Sequence, residues 1–190
     1  VALTDGRDVS FIQLAKEHKE GKRNFCYTIK EDGKIGIEEI KHPRITKRNV
    51  EVVKVILDNG EEIVCTPDHK FMLRNGEYKK AIDLETKESL MPLNKKISKV
   101  GGRITINGYE MVYDNKSHMW RFTHVLADEW NLKNGIYSDM KRYHRHHVDF
   151  NKLNNNPTNI IRMSREDHML YHTQHLEKVL HREDIKEKAR

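Results

Sequence analysis

YHRHHVDFNKLNNNPTNIIRMSREDHMLYHTQH, residues 143–175, is the stretch from which the rest of the chain is best read. It holds an adjacent histidine pair, His146 and His147, then Asp149, a run of Asn154, Asn155 and Asn156, then Asn159, His168 and His172. Residues 143–150 predict a strand. Alternation along it puts Tyr143, Arg145, His147 and Asp149 on one face and His144, His146 and Val148 on the other. The two adjacent histidines therefore cannot do the same job. Ser164 followed three residues later by Asp167 predicts a capped helix start, with the helix running from about Arg165 to Leu180. His168 and His172 then lie one turn apart on one helix face, a spacing that commonly holds divalent metal ions. The NNNPTN segment between is too polar for a core strand and reads as an ordered connection. Strand, loop with a short ribbon, helix: the pattern is a small metal-centred hairpin and helix.

This pattern resembles the HNH nuclease motif, the ββα-metal fold of phage homing endonucleases and colicin-type nucleases. Twelve residues from His147 to Asn159 and nine more to His168 fit that motif. The resemblance implies His146, His168 and His172 as metal ligands and His147 as the general base. It implies Asn159 as the residue that ties the loop and helps fix the base. Some homing members carry Asp and Asn where this chain has His146 and His168, so the metal stays open among Mg, Mn, Zn and Ni. The chemistry suits the residues. A near-neutral imidazole accepts a proton from water at physiological pH, and a divalent cation stabilises the departing oxygen of a phosphodiester. Three-histidine clusters also serve as purely structural zinc sites, which is the competing expectation. His175, seven residues beyond His168, is an alternative ligand. His18, His42, His118 and His181 read as surface residues, and His144 as facing DNA or solvent.

The first half predicts β structure. Asp5-Gly6, Asp32-Gly33, Asn59-Gly60 and Asn75-Gly76 are hairpin turn pairs. They separate strand-like runs at 27–29, 35–37, 50–57, 61–65 and 70–73. One helix is expected over Phe11–Lys19, capped by Ser10, with Phe11, Leu14 and Ala15 sharing a face. Such a pattern suggests one curved or pseudo-closed sheet.

Thr66-Pro67-Asp68-His69 resembles the Thr-x-x-His block of the Hint fold, the self-splicing domain of inteins and hedgehog-type autoprocessing proteins. The opening VALTDGRDVSF and KKAIDLETKESLMPL at 79–93 are similar to its flanking segments. The resemblance implies that Thr66 and His69 polarise a peptide bond. It departs at the ends: Val1 stands where that family has a Cys or Ser nucleophile, and Lys188-Ala189-Arg190 replaces a terminal His-Asn. The expectation is an incomplete splicing domain that does not splice by itself, with a C-terminal intein half or a host protein as partner. Cys26 and Cys65, the two cysteines, lie in strand-like runs and read as core residues.

Composition shifts at NKKISKVGGR, residues 94–103. The expected organisation is a mainly β Hint-like domain over 1–94 and a small α+β HNH (ββα-metal) nuclease domain over 95–190. Further strands are expected at 104–106, 109–113 and 120–122, and a helix over 123–132. Trp120 and Trp130 read as core, and His124 as core or surface ahead of phosphate contact. Residues 1–94 balance at 17 Lys+Arg against 17 Asp+Glu; residues 95–190 hold 18 against 12. A basic half beside a hydrolytic centre suits double-stranded DNA, with Lys141, Arg142, Arg145, Arg162 and Arg165 as candidate phosphate contacts. From Glu177 onward the tail reads as an exposed charged helix. No run is apolar enough to cross a membrane, and two cysteines without a disulfide framework suggest a cytoplasmic setting. The sequence therefore predicts a homing-type endonuclease cutting an intein-less gene, or an autoprocessing domain with a structural metal site. A third, weaker reading is a DNA-binding module without catalysis.

Overall fold

A computed structural model of the chain describes residues 1–180. His181 and the end of the charged tail lie outside the described residues. The Asp-Gly and Asn-Gly pairs close their turns as expected: Gly33, Gly60 and Gly76 sit at φ of 79°, 84° and 92°, a region that a Cβ disfavours. Each joins an antiparallel ribbon. β1 (Phe25–Ile29) pairs with β2 (Ile35–Glu39), β3 (Val53–Ile56) with β4 (Glu62–Cys65), and β5 (Lys70–Met72) with β6 (Tyr78–Lys80). A three-stranded sheet follows in the order β7 (Lys95–Ile97), β8 (Glu110–Asp114), β9 (Met119–Phe122). The last ribbon is β10 (His144–His147) with β11 (Ile160–Met163). The helices are α1 (Phe11–Lys19), α2 (Thr123–Lys133) and α3 (Arg165–Leu180).

Two expectations about strands are corrected. The first half is a set of separate two-stranded ribbons rather than one curved sheet. Residues 104–106 form no strand; Ile104 makes a single bridge to Gly101. Here the Ser98 hydroxyl donates to the Ile106 carbonyl (2.9 Å) and accepts from the Tyr109 amide (3.0 Å). It thereby absorbs backbone groups that a ladder would use.

Helix α1 has the predicted bounds, and Ser10 caps it by accepting from the Gln13 amide. Its inward face differs: Phe11 is 70% exposed, while Leu14 and Glu17 are buried. Glu17 is drawn inward by polar partners. Arg7 donates to both its oxygens (2.7 and 3.1 Å), and Gln13 and Asn24 donate as well. These bonds hold its carboxyl well below the usual range and clamp the opening turn to the helix.

The main core is built from both sides of position 95. Phe25, Ile35 and Ile37 from the β1–β2 ribbon pack with Val112 of β8, Leu126, Ala127 and Trp130 of α2, and Ile160 of β11. Phe25 meets Trp130 edge to face at 4.8 Å between ring centres. The composition shift near residue 95 is thus not a gap in packing. Residues 41–93, by contrast, contribute only Ala81 as a buried apolar side chain among the described residues, while Ile56, Val64, Tyr78 and Ile82 are exposed.

A shared core predicts shared unfolding. Phe25→Ala should cost about 3–5 kcal/mol, and urea unfolding followed by Trp130 fluorescence should shift with it in one transition. Trp130 emission that unfolds at the wild-type midpoint would show that the two sides are independent.

Candidate metal centre

Strand pleat decides which way each histidine of HRHH points. His144 and His146 leave one face of β10, and Arg145 and His147 leave the other. On the first face α3 packs against β10. Its start is fixed by Ser164, which accepts from the Asp167 amide (3.0 Å) and donates to the Asp167 carboxylate (2.8 Å). Helix and strand bring His146, His168 and His172 together, with one ligand nitrogen from each lying within 4.8 Å of the others.

The donor set of this cluster suits a divalent metal ion. His146 is 4% exposed, and its Nε2 is buried with no hydrogen-bond partner among the described residues. An unpaired buried nitrogen is costly unless something binds it. Burial, followed by repulsion from His172 and His168, pushes His146 down to about 4. Burial and the neighbouring His172 and His144 also lower His168. Both shifts favour the neutral ring, the form a metal requires. His175 stacks on Phe150 at 3.6 Å, and His144 stacks on His168 at 5.0 Å.

On the opposite face His147 is 7% exposed, with Tyr109 and His124 rings 5.9 and 5.8 Å away. Its Nε2 lies 3.0 Å from Asn155 Oδ1. Burial lowers its pKa, with the Asn155 hydrogen bond acting against it. His124 is buried core, pushed down to about 4 first by burial and then by His147. The Asn159 side chain bonds both ends of the 149–154 segment. Its Oδ1 accepts from the Asp149 amide (3.1 Å), while its Nδ2 donates to Asp149 Oδ1 and to the Asn154 carbonyl (both 2.8 Å). Its side chain makes no direct bond to His147; the residue that does is Asn155. The Asn154-Asn155-Asn156 run was the available signal, but spacing alone does not say which of three amides turns inward.

Two of the five candidate phosphate contacts are corrected. The Arg162 side chain is 4% exposed and bonds Asp128 through Nε (2.6 Å) and Nη2 (2.8 Å), with a further pair to Asp139. Arg145 Nε donates to Asp128 at 2.7 Å. Asp128 is fully buried. Burial pushes its pKa up, but the bonds from Arg162, Arg145 and Tyr137 prevail and hold it below the usual range. These guanidiniums brace β10 and β11 against α2. Lys141, Arg142 and Arg165 are exposed.

Thr66 ends just past β4, half-buried, and His69 is exposed with its amide bonded to the Thr66 carbonyl (3.0 Å). The two stand in one turn, far in sequence from the histidine cluster. The profile of the intein splicing domain matches residues 1–188. The chain belongs to the intein splicing domain family. It is also 58% identical over 191 residues to the B subunit of DNA gyrase from a Synechocystis strain, an overlap that covers all of this chain and 18% of that protein. The splicing-family match thus runs through the ribbons of the first half and the histidine cluster of the second. Among the described residues no helix is long and apolar enough to cross a membrane.

Two outcomes are expected. Zinc or cobalt should bind the wild type with one ion per chain, and His146→Ala should weaken that affinity at least about tenfold, as read by competition with a chromophoric chelator. In the metal-free protein, His124 and His146 sit near 4 when folded against about 6.5 when unfolded. The unfolded chain then binds more protons below pH 6.5, so stability present above that pH falls as pH drops from 6.5 towards 4. Urea midpoints at pH 7 and 5 would show the loss; equal midpoints would contradict it.

Proposed function

We propose that this chain works within a protein-splicing, autoprocessing unit and that His146, His168 and His172 hold a divalent metal ion which serves phosphodiester hydrolysis in double-stranded DNA. The family match supports the first part. The observation that carries the second is the buried, unpartnered His146 Nε2 facing two helix histidines on a hairpin-and-helix frame. When bound, the metal would stabilise charge on the departing oxygen. His147 takes the proton from the attacking water; its lowered pKa keeps it in the accepting form. Asn159 holds the 148–159 loop shut behind it. Lys141, Arg142 and Arg165 contact the phosphate backbone and position the duplex. Thr66 and His69 polarise a peptide bond in the splicing reaction, with the remaining splicing residues supplied by a C-terminal intein half or host protein.

A second reading keeps the autoprocessing role and makes the cluster a purely structural metal site. It asks for less beyond the family match, and two observations favour it. His147 is buried against Tyr109 and His124, and Arg145 and Arg162 are committed to Asp128. The similarity to a gyrase protein suggests the target for the test: a supercoiled plasmid carrying the matching gyrase gene without this insert. The hydrolytic reading predicts nicking with magnesium or manganese, none with chelator, and at least a ~100-fold loss in His147→Ala with metal still bound. Metal-loaded protein that leaves the plasmid intact would contradict the hydrolytic reading, and a His147→Ala variant that nicks normally would remove His147 from the chemistry.

A further inference from the structure

Asn155 is fully buried in a loop that has no regular structure of its own. Its position is fixed from outside the ββα unit: the Asn155 amide donates to the Thr4 carbonyl at 2.8 Å. Thr4 is itself fully buried, and its amide donates to the Phe25 carbonyl at 3.0 Å. The opening segment of the chain therefore holds this one asparagine against the core.

The Asn155 side chain is then decided atom by atom. Nδ2 donates to the Leu153 carbonyl at 3.2 Å. Reversing the amide would set two oxygens against each other there, so Oδ1 is the atom that faces His147 Nε2 at 3.0 Å. An amide oxygen only accepts. Nε2 must carry the hydrogen, and Nδ1, which has no hydrogen-bond partner among the described residues, is left with its lone pair.

We propose that Asn155 is a positioning residue for His147: it fixes the Nε2–H tautomer and the ring orientation, leaving Nδ1 as the nitrogen that accepts the proton from water. Thr4 delivers it, so the opening segment of the splicing fold buttresses the hydrolytic centre. The inference rests on the phosphodiester reading above for the role of Nδ1, and on hydrogen-bond geometry alone for the tautomer.

The test has one readout that does not need DNA. Nitrogen-15 NMR of histidine-labelled, zinc-loaded protein reports the tautomer of each ring. Wild type should show His147 as Nε2–H. Asn155→Ala should lose that preference and nick the plasmid about 10–100-fold more slowly in kcat, with KM for DNA and zinc affinity within about twofold. Asn155→Asp, which keeps an acceptor oxygen at the same reach, should retain the tautomer and recover part of the rate. A wild-type Nδ1–H spectrum overturns the proposal even if Asn155→Ala fails to fold, and so does an Asn155→Ala variant with unchanged tautomer and rate. If wild type shows the expected tautomer, loses it in Asn155→Ala and yet cuts no DNA, the phosphodiester reading falls while the positioning of His147 by Asn155 stands.

Discussion

The pleat of one four-residue strand divides the chemistry of this protein. Because neighbouring side chains leave β10 on opposite faces, His146 is sent towards α3 and His147 towards the core. Everything at the centre follows from that separation. One face gathers His168 and His172 around a nitrogen that has no partner among the described residues. The other packs His147 against Tyr109, His124 and Asn155. A shift of the β10–β11 register by one residue would exchange the two histidines. The observed pairing of His146 with Ile161 and His147 with Ile160 is held by Arg145 and Arg162, which straddle the ribbon and both bond the buried Asp128 of α2.

The same helix joins the centre to the splicing fold. Leu126, Ala127 and Trp130 of α2 pack against the β1–β2 ribbon. From α2, the Asn131 amide donates to the carbonyls of Pro157 and Ile160 at the exit of the asparagine loop (2.8 and 3.1 Å). On the other side of the loop, Thr4 and Arg23 offer carbonyls to Asn155 and Asn156. The histidine cluster is thus not a free appendage: the loop that shapes it is gripped by both halves of the chain. Residues 41–93 stand apart from this arrangement, with little buried apolar surface and with Thr66 and His69 at an open turn.

Much of this was legible in the residues, for physical reasons. The hairpins were marked by turn pairs whose glycine is needed at positive φ, α1 and α3 by serine caps, and the pairing of His168 with His172 by a helical spacing of four. What the sequence hid were choices made by tertiary contacts. Phe11 and Glu17 compete for the inward face of α1, and only the position of Arg7 and Asn24 settles it for the acid. Arg145 and Arg162 look like free cations until Asp128, far away in sequence, is placed beneath them. The boundary at residue 95 is real in charge but absent in packing, since hydrophobic partners across it carry no local signature. Asn155 is one of three identical neighbours, distinguished by a carbonyl at Thr4.

The central claim is that His146, His168 and His172 bind one divalent ion while His147 does not. Anomalous diffraction from zinc-loaded crystals tests it most directly. A single peak about 2.0–2.1 Å from nitrogens of all three histidines, with the His147 ring still against Asn155, is the predicted result. A peak on His147, or metal bound away from His146 Nε2, would contradict the account.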